Sequence, residues 1–370
     1  MKKVAIIGGG IAGLIGGILL SRAGIPCILI EKKSYPFHRV CGEYISNETT
    51  PFLKSLGLYP SEFNPPQLTQ FQLSANNGKS TTLPLDLGGF GISRYNFDHF
   101  LFLKARQSGV EFYLNTAVED VSFADDAFTI ITQAKNFEAD VVLGCFGKRS
   151  KLDLKMERTF ARKKSPFVGV KYHIRTDFKN DLIALHNFDS GYCGISNVEG
   201  GVTNLCYLVQ RETIRAFGNL REAEENTLFK NPLLKSVFTN SEFILNKPEV
   251  INEISFEPKD PVESHILMVG DAAGMITPLC GNGMAMAIHA SKIVSDLIIR
   301  YCRDKRFSRI DLEQAYTREW KKNFSKRLWA GRKIQRLFGS ALASGIALNL
   351  AIHARPVANA IVRNTHGKPF

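Results

Sequence analysis

Two glycine-rich strand-to-helix turns, far apart in the chain, restrict what this sequence can fold into more than any other feature: Gly8-Gly9-Gly10-Ile11-Ala12-Gly13 and Gly270-Asp271-Ala272-Ala273-Gly274. The first follows an apolar strand, Val4-Ala5-Ile6-Ile7, and opens a helix from Ile11 to about Ala23. Gly8 permits a tight turn, Gly10 leaves the backbone bare where a pyrophosphate approaches, and Gly13 lets helix and strand pack closely. The helix N-terminus then faces the phosphate charge. A second strand, Cys27-Ile28-Leu29-Ile30, ends in Glu31 beside Lys32, and both are assigned to the cofactor. Glu31 stands eighteen positions past Gly13, close to the ~20 at which an acid accepts hydrogen bonds from a ribose. Strand, helix, strand and terminal acid together predict a dinucleotide-binding unit, with NAD and FAD equally open.

The second turn separates them. It follows the strand Ile266-Leu267-Met268-Val269 and precedes Pro278-Leu279-Cys280-Gly281-Asn282-Gly283 and a helix from Met284 to about Ile299. A carboxylate at a strand end can hold a chain of hydroxyls, and a Gly-Asn-Gly helix start aims bare N–H groups at an anion such as a reduced flavin. Here the sequence resembles the FAD-dependent family that contains aromatic hydroxylases, flavin halogenases and geranylgeranyl reductases, which share the p-hydroxybenzoate hydroxylase fold. The resemblance implies an α/β protein in which a Rossmann-like FAD-binding domain is interleaved with a mainly antiparallel substrate sheet. It also implies Gly270 and Asp271 at the ribityl chain, Pro278 at the isoalloxazine ring, and Gly281, Asn282 and Gly283 at its pyrimidine edge.

Two further segments extend the resemblance. Gly91-Ile92-Ser93-Arg94-Tyr95-Asn96-Phe97-Asp98 is similar to the family's arginine-led helix start, and the strand after Thr116-Ala117-Val118 corresponds to the one that meets adenine. Arg94 and Val118 are therefore expected cofactor contacts, as is Arg39, which matches an arginine near the pyrophosphate. One motif departs from the pattern. Relatives that oxidise NAD(P)H carry Gly-Ala-Asp-Gly after a strand, whereas here Gly144-Cys145-Phe146-Gly147 places Phe146 where the acid would be. NAD(P)H remains a candidate electron donor, and the missing acid argues against its tightly controlled direct use.

At 370 residues and 44% hydrophobic content the chain is long enough for two interleaved domains with their own cores. The expected division is 1–50, 91–155 and 265–300 for FAD, 51–90 and 156–264 for substrate, and 301–370 as a basic helical region. Seven cysteines form no C-x-x-C pair, which suits reduced thiols in a cytoplasm and no metal site. Met1 and two lysines run straight into the first strand, so no secretory signal is expected. From Arg300 onward sixteen basic residues face four acidic ones, which accounts for the whole net charge of +12. Lys321, Lys322, Lys326, Arg327, Arg332, Lys333 and Arg336 alternate with Trp320, Phe324, Leu328, Trp329 and Leu337 at helical spacing. This stretch, 320–340, suits peripheral contact with an anionic membrane or, slightly better, a helix packed on the FAD domain. No nucleic-acid module accompanies the basic residues.

Alternating strands such as Phe167–Ile174 and Val202–Leu208 predict a sheet that walls a pocket. Tyr172, Phe188, Tyr192, Cys193 and Tyr207 are its expected lining, which points to an apolar or aromatic small molecule or a lipid. The stretch Gly191-Tyr192-Cys193-Gly194-Ile195-Ser196 lacks the halogenases' Trp-x-Trp-x-Ile-Pro, and halogenation is not expected. Cys41, in Arg39-Val40-Cys41-Gly42-Glu43, matches a Cys-Gly pair of the geranylgeranyl reductases and is the candidate catalytic residue, as a proton donor or a guide for the ring. Three readings fit the motifs. Hydroxylation of an aromatic or polyketide-like molecule stands marginally first on the aromatic pocket, reduction of isoprenoid double bonds follows on Cys41 and Phe146, and a non-catalytic electron carrier comes last.

Overall fold

The computed structural model describes residues 2–335, 341–353 and 366–370. Apolar runs too short to stand alone build the first layer. Strand β1 (Val4–Ile7), helix α1 (Ile11–Arg22) and strand β2 (Cys27–Ile30) form a parallel βαβ unit in which all eight strand residues are buried. Burial on both faces is why these strands are continuously apolar rather than alternating. The chain then leaves this layer through β3 (Tyr44–Ser46), α2 (Thr50–Ser55), β4 (Gln67–Ser74) and β5 (Ser80–Gly91). It returns with α3 (Arg94–Gln107) and β6 (Glu111–Tyr113), adds an antiparallel sheet of β7 (Val118–Ala124), β8 (Ala127–Thr132) and β9 (Asn136–Ala139), and re-enters the first layer at β10 (Val141–Gly144).

After the short helix α4 (Lys151–Lys155) come β11 (Phe167–Arg175), β12 (Leu182–Phe188), β13 (Gly191–Asn197) and β14 (Thr203–Gln210). Helices α5 (Arg211–Phe217), α6 (Leu220–Thr227) and α7 (Pro232–Asn240) follow, then β15 (Glu242–Phe243), β16 (Glu249–Ile254), β17 (Val262–Glu263) and β18 (Ile266–Met268). Then come α8 (Gly283–Arg303), α9 (Arg309–Gln335) and α10 (Ala341–His353). The first layer runs β17-β18-β10-β1-β2-β6, and the large sheet runs β15-β11-β14-β13-β12-β4-β5-β3 with β16 on β11. Thus β3, read from sequence as part of the FAD segments, hydrogen-bonds to β5 at the edge of the large sheet.

The two faces of the large sheet do different things, because successive side chains of a strand point to opposite sides. One face carries Val170, Tyr172, Cys193, Ile195, Tyr207 and Val209, buried against Leu228 and Leu234 beneath the α5–α7 segment. Tyr172 and Tyr207 both donate to Glu224 of α6, at 2.8 and 2.6 Å, and burial holds that carboxyl above its usual range. The expectation that Tyr172, Phe188, Cys193 and Tyr207 line the substrate pocket is therefore corrected: all four belong to this second core, and only Tyr192 lies on the other face. Phase along a strand, not composition, decides the side.

Helix α9 packs on the first layer. Leu312, Tyr316, Trp320, Phe324 and Leu328 are buried in the same core as β1 and α1, so the apolar face of this basic helix is used in packing. Arg336 and Leu337 lie outside the described residues.

Gly13 makes a very close approach to backbone in the first layer. A Cβ there would lie 2.1 Å from the Gly8 carbonyl oxygen, so helix and turn can approach only without a side chain. Gly13→Ala should cost about 1–3 kcal/mol, the range for overpacking a close contact. The check is the urea unfolding midpoint; an unchanged midpoint would show that the turn yields freely.

Candidate functional site

The first turn has the shape of an anion cradle. Gly8 sits at φ +105°, in the left-handed region, and a Cβ on it would collide with the Cys145 carbonyl. Gly10 differs. A Cβ there meets nothing nearer than Arg94 Nη2 at 3.6 Å, so the space above Gly10 is walled only by a guanidinium. Glu31, buried at the end of β2, accepts from Gly9 N–H at 2.7 Å and Lys33 N–H at 3.0 Å, and Arg39 lies 3.5 Å from it. These residues fit a pyrophosphate: bare N–H groups at a helix start with cations opposite.

Arg94 is the junction of this site. It begins α3, which Ser93 caps by accepting from Asn96 N–H, and its fork binds both oxygens of Asp98 at 2.7 Å each. Arg39 reaches the same carboxylate at 3.2 Å. Burial works against the Arg94 charge, yet Asp98 outweighs it and holds the guanidinium above the usual arginine range, with the Cys41 sulfur in hydrogen-bonding contact. The phosphate cradle and the Cys41 thiol therefore meet across one cation.

The second turn comes against the first. Gly270, at φ +67°, packs within 3.4 Å of Ala12 of α1 when given a Cβ, and Ser291 of α8 donates to the Ala12 carbonyl at 2.9 Å. Two cations bind the turn's carbonyls. Arg158 donates to Ala272 O at 3.0 Å, while Lys259 donates to Asp271 O and Lys148 O at 2.7 Å each. Burial pushes the Lys259 ammonium down to about 8 against the pull of Asp271. Further along, Pro278 is exposed, Gly281 lies at φ +62° on the ring of Tyr44, and buried Asn282 accepts the first helical bond of α8 from Met286. Leu279 N–H donates to Tyr192 of the large sheet at 3.2 Å, so this turn is tied to the sheet face opposite the aromatic core.

That sheet face is graded in polarity. At one end Leu73, Leu185, Leu208, Ile254 and Tyr192 cluster with Met275 and with Ala351 of α10. At the other end stand Lys171, His173, Asn204 and Cys206, paired in register across β11 and β14. Fully buried Glu43, at φ +54°, faces this polar end. Its carboxylate accepts from Lys171 Nζ, from His173 Nε2 at 2.7 Å and from the Arg94 backbone N–H at 2.8 Å. Burial pushes its pKa up, but Lys171 and His173 outweigh burial and hold it below the usual carboxylate range. His38, stacked on Tyr95 and edge-on to His173, is pushed down by burial, Lys171 and His173.

Of the residues expected from sequence, Gly8, Gly10, Gly13, Glu31, Arg39, Arg94 and Cys41 lie around one site, and Gly270 brings the second turn to it. Lys32 is exposed and makes no hydrogen bond among the described residues. Val118 begins β7 two residues after Thr116, whose N–H donates to the Glu31 carbonyl at 3.0 Å. Sequence reasoning missed Asp98, Glu43, Lys171 and His173. Asp98 had a signal, four residues past Arg94 on one helix face; the other three meet only through the fold.

A family model described as FAD binding domain matches residues 1–319. The chain is 24% identical over 339 residues to a digeranylgeranylglycerophospholipid reductase of Methanococcus vannielii, covering 87% of this chain and 83% of that one. It is 23% identical over 352 residues to a 1H-pyrrole-2-carbonyl-[peptidyl-carrier protein] chlorinase of Pseudomonas fluorescens, covering 83% and 77%. Among solved structures, a geranylgeranyl bacteriochlorophyll reductase-like protein of Thermoplasma acidophilum superposes with a TM-score of 0.79 at 16% identity, over 98% of this chain and 95% of that one. At that identity the likeness is one of fold.

Two outcomes follow from the site's geometry. Gly10→Val puts a branched side chain into the cradle and should yield protein without bound FAD, read from the visible spectrum after purification; full yellow colour would remove Gly10 from the cradle. Lys171→Met leaves the Glu43 carboxylate buried without its main partner and should cost about 3–5 kcal/mol, whereas Glu43→Gln with Lys171→Met removes both charges and should cost less. Urea unfolding of the single and double variants measures the difference.

Proposed function

The chain belongs to the FAD-binding domain family, and from that premise we propose that it saturates carbon–carbon double bonds of an apolar, isoprenoid-like lipid. It is an FAD-dependent oxidoreductase. When bound, FAD supplies the hydride chemistry, and the chain's residues bind, orient and provide the proton. The cofactor roles read from sequence carry into this proposal: Gly8, Gly10, Gly13, Arg39 and Arg94 at the pyrophosphate, Glu31 and Lys32 at the ribose, Val118 at adenine. Gly270, Asp271, Pro278, Gly281, Asn282 and Gly283 complete the set at the flavin end. Residues 1–50, 91–155 and 265–300 hold FAD in this reading, while 51–90 and 156–264 take the substrate.

The observation that carries the reductase reading is the Cys41 thiol, partly exposed and in contact with Arg94 at the edge of the cradle. Saturating a double bond consumes one hydride and one proton, and in this proposal Cys41 S–H gives the proton to one carbon and the thiolate left behind takes a proton back from solvent. The sheet face opposite the α5–α7 segment supports it: we assign its apolar end, around Leu73, Leu185 and Leu208, to a hydrocarbon chain, and its polar end adjoins the Cys41 segment through Asn204. Hydroxylation drew its support from an aromatic pocket, and Tyr172, Phe188 and Tyr207 are on the opposite face. NAD(P)H is the proposed electron donor, without the acid that Phe146 replaces.

The same proposal places the protein in the cytoplasm, touching an anionic lipid surface. No described helix is long and apolar enough to cross a membrane. Trp329 is 59% exposed on α9 amid Lys321, Lys322, Lys326 and Lys333, and Ile346 of α10 is 57% exposed. An aromatic among cations suits the headgroup boundary.

The test is anaerobic incubation of the chemically reduced holoenzyme with a geranylgeranyl lipid, followed by mass spectrometry for hydrogen uptake. Cys41→Ala should keep its FAD and lose about a hundredfold in rate, the scale of a lost general acid. No hydrogen uptake by the unaltered enzyme, or oxygen incorporation in air instead, would overturn the reading.

A further inference from the structure

The Glu43 cluster lies outside both glycine turns, yet it joins the elements on either side of Cys41. We infer that Glu43, held by Lys171 and His173, is a positioning residue that sets where the Cys41 thiol stands between the nucleotide layer and the substrate sheet.

The segment Cys41-Gly42-Glu43 is clamped at both ends within three residues. At its start, Asn204 of β14 donates to the Cys41 carbonyl at 3.2 Å. At its end, the Glu43 carboxylate takes three donors from two elements: Lys171 and His173 of β11, and the backbone N–H of Arg94 at the start of α3. Between the clamps the thiol rests against the Arg94 guanidinium, which Asp98 locks through two bonds. A carboxylate with no exposed surface, on a non-glycine residue at φ +54°, is costly to keep and persists only where its surroundings over-determine it. Its immediate consequence is geometric. With Glu43 and the Cys41 carbonyl held by the sheet, the thiol cannot move relative to β11 and β14 without breaking a buried charge-assisted bond.

Lys171 and Asn204 do not reach a ligand through this arrangement: Lys171 has no exposed surface, and Asn204 is 1% exposed. They act through the loop. The cluster thereby links the position of the thiol to the packing of the substrate sheet. Its value to turnover rests on the reductase reading, whereas the clamp itself does not.

The experiment is the rate at which iodoacetamide alkylates Cys41 in the holoenzyme, followed by peptide mass spectrometry, with Cys302 as internal reference. His173→Ala and Asn204→Ala each remove one clamp bond and should change the Cys41 rate by about threefold or more, the scale one lost hydrogen bond sets. His173→Gln, whose amide can donate to Glu43 in place of the ring, should return the rate to near that of the unaltered protein. The Cys302 rate and the FAD content should stay constant throughout. An unchanged Cys41 rate in both alanine variants, or failure of glutamine to restore it, would overturn the inference. Turnover of Cys41→Ser separates the two proposals: activity equal to the parent removes the thiol as proton donor and leaves the alkylation result standing.

Discussion

The structure depends on one close approach of backbone to backbone, where Gly13 of α1 lies over the Gly8 carbonyl, and beside it Gly270 of the second turn faces the Ala12 side chain. A methyl group at Gly13 would separate strand from helix and tilt the helix N-terminus away from the space above Gly10. Because N–H groups at a helix start are useful to a phosphate only when they converge on it, the whole first layer serves that contact. The parallel strands β1, β2 and β10 hold the turn, and α8 locks the second turn to it through Ser291.

Around this cradle three acids hold cations in place. Arg94 and Arg39 share Asp98, Arg158 pairs with Asp153, and Lys171 pairs with Glu43. Such pairs add little net stability over apolar packing, and their worth lies in directing side chains that must not drift. Arg94 is the instance that matters most, since the same guanidinium borders the cradle and the thiol.

The two faces of the large sheet belong to two different cores. Tyr172, Tyr207 and Cys193 form a second core with Leu228 and Leu234, while Tyr192, Leu208 and Met275 face the nucleotide layer. Adjacent residues of one strand, Tyr192 and Cys193, therefore belong to different parts of the molecule. This is where reading aromatic content as pocket lining failed: the alternation was visible in the sequence, but which phase packed beneath the α5–α7 segment was not.

The amino-acid sequence by itself determined the cofactor layer, because a glycine turn between a strand and a helix is a local object whose residues touch one another within a few positions. Gly8, Gly10, Gly13, Glu31 and the Gly270 turn were legible for that reason, and so was the amphipathic, basic character of α9 from Trp320 onward. The tertiary structure alone decided which face of the large sheet packs beneath the α5–α7 segment, that β3 pairs with β5, and that Glu43 is joined to Lys171 and His173. Those partners are separated from it by more than a hundred residues. No local preference of a glutamate, a lysine or a histidine selects such a partner; only the packing of one layer on another brings their charges together and makes each necessary to the other.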